Sequence, residues 1–178
     1  MKVLLDTDIA SCLSKISGFD VIFTLFPNSN FFIPTRVFEE LKEAEELGYR
    51  FVGTIFSLLG DKIEITSLNE EEVRDYEEIN RIGKFGYGEK ECISICRNRD
   101  DFILLSNDGH VNKKSRDLGI KIYNLEDLLS LAIGGGVIKT EDELEALMDR
   151  IEHLDRVSIR DKDYLRSKVK EEDYGVNK

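Results

Sequence analysis

Short apolar runs alternate along this chain with stretches of helical periodicity. Val3–Leu5, Phe31–Ile33 and Phe102–Leu105 are three of these runs, and each is only a few residues long. Helical segments between short strands are typical of a parallel sheet, because the chain needs a crossover to return to the same end of the sheet. The alternation therefore predicts an α/β fold with a central, mainly parallel sheet.

Composition favours a chain of ordinary domain size with its own core. The 178 residues are 41% hydrophobic, and no apolar run approaches the roughly 20 residues that span a bilayer. The first apolar run is too short for a signal peptide, so we expect a cytoplasmic protein. The three cysteines and two histidines lack zinc-ligand spacing. A net charge of −11 argues against DNA binding through bulk charge, although it leaves room for a nucleic-acid enzyme with a local basic rim.

The run Gly134–Gly136 is the clearest boundary in the chain. Beyond it, two apolar stripes follow at helical spacing, one from Leu144 to Leu154 and one from Tyr164 to Val169. We therefore expect a main domain over residues 1–134. A helical hairpin over residues 137–172 is expected to pack on the same domain.

Local signals mark two helix starts in the middle of the chain. Ser67 and Glu70 have the spacing of a capping box, in which a side chain and a backbone amide satisfy each other at a helix N-terminus. The glycine-rich segment Gly83–Gly88 interrupts the helical pattern, and we expect a further helix to begin near Glu89. Both helices would precede the strand predicted at 101–105.

Acidic residues stand where the chain leaves a strand or runs along a helix. Asp6 and Asp108 follow apolar runs, and Glu40 and Glu91 lie on predicted helices. An α/β fold gathers its strand ends into one crevice, where carboxylates repel each other unless a divalent cation relieves the repulsion. The set therefore points to a site for a hard metal ion. Each residue also has a plain structural interpretation, as a helix cap, a turn residue, a partner of the helix dipole or a solvated charge.

Basic residues follow Asp108 on the next predicted helix, at Lys113, Lys114 and Arg116. They are candidates for a rim that contacts phosphates beside the metal, since Arg and Lys hold a backbone without reading its sequence. An ordinary exposed helix face explains them equally well.

Four segments resemble motifs of the PIN domain family, small metal-dependent nucleases that include the VapC-type toxins. These are Leu4–Asp8, Val37–Leu41, Gly88–Cys96 and Leu104–Asp108. The tail from Gly136 to about Lys170 resembles a prokaryotic PIN-like subfamily with a C-terminal helical hairpin. The resemblance covers nearly the whole chain and implies a three-layer α/β/α PIN-like fold.

The resemblance implies a Mg²⁺- or Mn²⁺-dependent ribonuclease that hydrolyses RNA phosphodiester bonds. Its catalytic and metal-binding residues would be Asp6, Glu40, Glu91 and Asp108. Within the motifs, Glu91 aligns better than Glu89 and Glu40 better than Glu39. Supporting residues that position ligands or water would be Asp8, Glu89, Ser106 and Asn107. Toxin-type relatives further suggest an antitoxin protein as a partner, and a homodimer.

Two other interpretations fit parts of the sequence. Asp6-Thr7-Asp8 after a strand also resembles the opening of haloacid-dehalogenase-type phosphatases, in which Asp6 would be a nucleophile. That family also expects a lysine and a distinct late acidic motif, and Lys84 and Lys90 are poor matches in context. Alternatively, the chain is a catalytically silent PIN-like module that binds a partner through its acidic surface and hairpin.

Overall fold

A parallel sheet organises the first part of the structure. The computed structural model describes residues 1–175, without the side chains of Asn80, Ser115, Arg116 and residues 171–175. Within this range the strands are β1 Lys2–Leu5, β2 Asn30–Pro34, β3 Ile63–Thr66, β4 Phe102–Leu105 and β5 Ile122–Tyr123. They form one sheet in the order β3-β2-β1-β4-β5, and every pairing is parallel. The predicted α/β fold with a parallel sheet is confirmed.

Helices connect the strands and continue beyond them. In the described range they are α1 Thr7–Lys15, α2 Phe19–Leu25, α3 Thr35–Glu46, α4 Val52–Leu58, α5 Glu70–Ile82, α6 Tyr87–Asn98, α7 Gly109–Leu118, α8 Leu125–Gly134, α9 Glu141–Arg150 and α10 Lys162–Gly175. A π-helical segment, Ile151–Asp155, follows α9. None of these helices is long and apolar enough to cross a membrane.

The chain divides into two compact units. The first contains residues 1–11 and 28–124 and therefore holds the whole sheet. The second contains residues 12–27 and the chain from Leu125 onward, so α8 belongs to it although α8 precedes the triple glycine. The domain boundary expected at the triple glycine stays a prediction.

The core of the first unit lies along the two central strands. Val3, Leu4 and Leu5 of β1 are fully buried, and all four residues of β4 are buried as well. Such continuous apolar strands are expected where a parallel sheet is covered on both faces. Leu5 of β1 pairs with Leu105 of β4, and the amide of Asp6 donates to the carbonyl of Leu105 at 3.2 Å. Consequently, the residues that follow both strands emerge at one edge of the sheet.

The second unit is built from helices with apolar stripes. Leu144, Leu147, Met148 and Ile151 are buried as their spacing predicts, whereas Leu154 is half exposed. Lys15 Nζ lies 2.7 Å from Asp155 Oδ1 and links α1 to the π-helical segment. This unit therefore combines an apolar interior with a short ion pair.

Two predicted helix starts differ from the structure. The cap of α5 is Asn69, whose side chain accepts from the amide of Glu72, and Glu72 in turn accepts from the amide of Asn69. The predicted Ser67–Glu70 capping box is wrong, because the Ser67 hydroxyl lies 3.0 Å from the Thr35 hydroxyl instead. Helix α6 begins at Tyr87, two residues before the predicted start.

A buried ion pair connects α5, α6 and the end of β3. Arg99 Nε lies 2.5 Å from Glu72 Oε1, and Arg99 Nη2 lies 2.7 Å from Glu72 Oε2. Arg99 also donates to the hydroxyl of Thr66 and the carbonyl of Ser67. Glu72 is fully buried. The pair thus fixes the C-terminus of α6 against the N-terminus of α5.

We expect Arg99→Ala to destabilise the fold, because it leaves the Glu72 carboxylate buried without its counter-charge. Loss of roughly 2–3 kcal/mol of unfolding free energy is expected, somewhat less than for a fully buried pair, since the Arg99 side chain is 24% exposed. Urea denaturation measures the loss. The matched control is Arg166→Ala, which breaks a half-exposed pair with Glu145 and should cost clearly less. Equal losses in the two variants would contradict the assigned role of Arg99.

Candidate active site

A pocket of about 150 Å³ lies at the carboxyl edge of the sheet. It is lined by Asp6, Thr7, Asp8, Glu40, Gly86, Gly88 and Glu89. All of these residues belong to the first unit, and they come from the end of β1, from α3 and from the start of α6. The chain runs from β1 outward to β2 and β3, and later to β4 and β5 on the other side of β1. The pocket therefore lies at a switch point of the sheet, the usual ligand position in open α/β folds.

Asp6 is the buried acid of the pocket, with 4% of its surface exposed. Its Oδ1 accepts from the amide of Ile9 at 2.8 Å, and the hydroxyl of Ser106 also bonds to its carboxyl group. Burial raises the pKa of Asp6 to about 7, and the charges of Asp8 and Glu89 add to the increase. At neutral pH, the protonated and ionised forms of Asp6 are therefore both populated.

Glu40 reaches the pocket from α3 and is held at both carboxylate oxygens. Its Oε1 accepts from the amide of Gly88 at 3.1 Å, and its Oε2 accepts from the hydroxyl of Thr7. A Cβ atom at position 88 would lie 2.9 Å from Oε2 of Glu40, so any other residue there would force the Glu40 carboxylate to move. The contacts tie α3 to the residue after Asp6 and to the first turn of α6.

Glu89 lines the pocket from the first turn of α6. It accepts from the amide of Gly86 at 2.8 Å and so satisfies the backbone donor at the N-cap of α6. Burial raises the pKa of Glu89, with further contributions from the charges of Asp108, Asp8 and Glu40. The structure therefore brings Glu89 into the same electrostatic environment as the other pocket acids.

Glu91 has a different environment, outside the pocket lining. Its Oε2 accepts from the amide of Arg36 at 2.6 Å and thereby satisfies an amide in the first turn of α3. Burial raises the pKa of Glu91, whereas the hydrogen bond from Arg36 lowers it. On α6, residues 87, 90 and 91 share one helix face by their spacing, whereas the Glu89 side chain lies on another.

Asp108 caps α7, as its turn signal indicates. Its Oδ1 accepts from the amides of His110 and Val111 at 2.8 and 2.7 Å. The amide of Asp108 donates to the hydroxyl oxygen of Ser106 at 3.2 Å, and Ser106 is buried. Ser106 therefore links Asp6, which follows β1, to Asp108, which follows β4. Asn107, between Ser106 and Asp108 in the chain, is half buried.

The predicted basic rim is not connected to the pocket by any contact of its described side chains. Lys113 is exposed, and Lys114 Nζ lies 3.5 Å from Asp117 Oδ2 on the same helix. The side chain of Arg116 lies outside the described residues. Thr7 and Gly88, which sequence reasoning missed as site residues, do contact a pocket acid. Their position inside the first and third acidic motifs was the only available signal.

One family model and two solved structures are similar to this chain. A family model described as DUF3368, a PIN domain, matches residues 2–171. The chain belongs to the PIN domain family. The predicted family membership is therefore confirmed, and comparison with curated proteins gives no match.

Two solved structures are similar to this PIN domain. One is a PilT N-terminus domain protein from the hyperthermophilic archaeon Sulfolobus solfataricus P2, with 17% identity and a TM-score of 0.49 over 73% of this chain and 92% of that one. The other is VapBC2 from Rickettsia felis bound to a DNA fragment from its promoter, with 18% identity and a TM-score of 0.50 over 70% of this chain and 98% of that one. The second likeness supports the three-layer α/β/α fold.

PIN domains typically use divalent metal ions, and the donor chemistry of the pocket fits such an ion. Asp6, Asp8, Glu40 and Glu89 offer carboxylate oxygens, the ligand type that Mg²⁺ and Mn²⁺ prefer. The raised pKa values of Asp6 and Glu89 show unrelieved burial and repulsion, which a cation would reduce. Among the described residues, no group of three or more acidic, His or Cys side chains is already arranged to hold an ion. Binding would thus require these side chains to converge.

We expect Asp6→Asn to stabilise the metal-free protein at alkaline pH. The Asp6 pKa is about 7 in the fold against 3.8 as the reference value, so between these values the folded state holds more protons than the unfolded state. Stability from this group is therefore lost as pH rises toward 7. The stability gain of Asp6→Asn should be larger at about pH 8 than at about pH 5.

Urea denaturation in a chelator measures this gain. Asp20→Asn, the same substitution at an exposed residue of α2, controls for the change itself. An Asp6→Asn gain that is the same at both pH values would contradict the assigned burial of the Asp6 charge.

Proposed function

We propose that this PIN domain is a metal-dependent endoribonuclease that hydrolyses RNA phosphodiester bonds. The observation that carries the proposal is the pocket itself, in which the buried acid Asp6 shares one space with Asp8, Glu40 and Glu89. A set of like charges gathered around a buried carboxyl group has little structural value without a cation. Membership of a nuclease family supports the same conclusion.

The proposed ligands of Mg²⁺ or Mn²⁺ begin with the pocket acids Asp6 and Glu40 and with Asp108, which lies outside the pocket lining but whose charge raises the pKa of Glu89. The contacts favour Glu89 over Glu91 as the fourth, because Glu89 lines the pocket and feels the charge of Asp108. Glu91 would then act on the site through α3, whose first turn it holds and which carries Glu40. This choice revises the preference for Glu91 that the motif alignment suggested.

A divalent ion bound at these carboxylates would supply an activated water and would stabilise the charge that develops on the cleaved phosphodiester. The protein's part is to hold the ligands in position. Ser106 fixes Asp6 and the amide of Asp108, while Thr7 and Gly88 fix Glu40. Loss of the proton that Asp6 retains near neutral pH would accompany ion binding.

The other two functional interpretations have no specific contact in their favour. In the phosphatase interpretation, a lysine should serve the Asp6 nucleophile, yet Lys90 lies over the rings of Tyr76 and Tyr87. The catalytically silent module is the alternative that experiment must exclude. A rise in melting temperature on metal addition would favour the nuclease over it.

The proposal extends to partners and location. The VapBC2 structure shows a related fold in a complex that also holds promoter DNA. Together with the family, it supports an antitoxin protein as a partner of this chain. A homodimer and a cytoplasmic location are part of the same proposal. Light scattering on the purified protein tests the dimer.

We expect Asp6→Asn to abolish RNA cleavage while the fold persists. Wild-type protein should cut RNA only when Mn²⁺ or Mg²⁺ is present, and the variant should be slower by about a hundredfold or more, as when one charged contact to a transition state is lost. A cleavage assay measures the rate, and circular dichroism verifies the fold. Undiminished cleavage by the variant would refute the assignment of Asp6.

We expect Glu89→Gln to impair metal binding more than Glu91→Gln. Mn²⁺ should raise the melting temperature of wild-type protein by mass action, and loss of a ligand should reduce that rise. Glu91→Gln should keep most of it, because the amide oxygen of glutamine can still accept from Arg36.

Differential scanning fluorimetry with and without Mn²⁺ compares the two variants, which are the same substitution two residues apart on α6. The reverse order of effects would restore Glu91 as the ligand. No Mn²⁺-dependent rise even in wild-type protein would favour the silent module.

A further inference from the structure

Beside the acidic pocket, two cations lie against two tyrosine rings. We call this the cation–tyrosine cluster and define it as Arg36, Tyr76, Tyr87 and Lys90. The guanidinium carbon of Arg36 lies 5.0 Å from the centre of the Tyr87 ring. Lys90 Nζ lies 4.5 Å from the Tyr87 ring and 4.8 Å from the Tyr76 ring. These distances are within the range of cation–π attraction.

Tyr87 exposes a large aromatic surface next to the proposed site. It is 60% exposed, although it is the first residue of a helix whose middle is buried. Its two neighbours in the chain, Gly86 and Gly88, both line the acidic pocket. A ligand that reaches from the pocket over the start of α6 would therefore meet the Tyr87 ring.

The cations of the cluster are held in place rather than dispersed in solvent. Arg36 Nη1 lies 2.7 Å from Glu39 Oε2, and its Nε is buried with no hydrogen-bond partner among the described residues. Lys90 is 6% exposed. On a chain with a net charge of −11, Arg36 is therefore the cation of the cluster that can meet a phosphate approaching the pocket, because Lys90 is buried.

Resting on the nuclease function proposed above, we propose that the cation–tyrosine cluster is a stacking platform that holds one unpaired base of the RNA substrate. An unpaired base stacks on the exposed Tyr87 ring, and Arg36 faces the adjacent phosphate. A duplex keeps its bases stacked on each other, so it cannot offer a free base face to the ring. An acidic peptide could pair with the cations, but it has no need of the flat face of Tyr87.

Binding to the inactive Asp6→Asn protein tests the platform directly. The probe is a fluorescein-labelled single-stranded RNA of about 12 nucleotides, measured by anisotropy in a chelator. Tyr87→Ala in this background should weaken binding by about tenfold, as expected for loss of one stacked base, whereas Tyr87→Phe should retain it. Arg36→Gln, which keeps the amide that Glu91 binds, should reduce the dependence of binding on salt.

Tyr164 offers a matched control. It is 55% exposed, and Lys168 Nζ lies 5.5 Å from its ring, so its local chemistry is that of Tyr87. It belongs to α10 in the second unit, and Tyr164→Ala should leave RNA binding unchanged. Equal binding by Tyr87→Ala and Tyr164→Ala would overturn the platform, as would equal weakening by Tyr87→Ala and Tyr87→Phe.

Kinetics separate this inference from the proposed function. In otherwise wild-type protein, Tyr87→Ala should raise KM for a single-stranded RNA, whereas Tyr87→Phe should keep the wild-type KM. If cleavage depends on the metal but is unaffected by Tyr87→Ala, the proposed nuclease function holds and the platform is refuted. Wild-type protein that cuts no RNA would refute the nuclease, whatever the ring binds. A labelled polyglutamate peptide that binds through Tyr87 in place of RNA would identify a protein-binding surface and also refute the platform.

Discussion

Parallel pairing of β1 with β4 is the constraint on which the site depends. The register places Leu5 opposite Leu105, so the next residues of both strands leave the sheet at one edge. Asp6 is buried like the apolar residues of β1 before it. The Ser106 side chain lies within hydrogen-bond distance of the Asp6 carboxyl group. A shift of one residue would exchange the two faces of β1 and would place Asp6 among apolar neighbours without that partner.

The site collects negative charge that the metal-free fold must tolerate. Burial raises the pKa of Asp6 to about 7, and Glu89 shifts in the same direction. The neighbouring contacts limit this cost, since Glu40 accepts from Thr7 and from the amide of Gly88. Those donors fix a carboxylate without neutralising it, so the acids remain able to bind a cation. The arrangement trades stability for function, as strained or charged active sites commonly do.

Much of this could be predicted from the sequence, because short-range patterns determine it. Strand ends, the parallel sheet and the acids after β1 and β4 follow from apolar periodicity and chain order. Which of Glu89 and Glu91 lines the pocket could not be predicted, because both lie in the first turns of α6 and have similar local sequence. A contact from Glu91 to an amide 55 residues away distinguishes them. The same applies to Ser67, whose hydroxyl bonds to Thr35 and so leaves the cap of α5 to Asn69.

Residues at the start of α6 contribute to both the acidic pocket and the cation–tyrosine cluster. With the first turn beginning at Tyr87, Glu89 faces the pocket, whereas Tyr87 and Lys90 face Arg36 and Tyr76. Successive helical residues are rotated by about 100°, so Tyr87 and Lys90 lie on one face of α6 and Glu89 lies on another. Gly88 lies between these residues, and a side chain there would displace the carboxylate of Glu40. Gly88 therefore lets Glu40 of the pocket pack against the same helix turn that carries the Tyr87 ring.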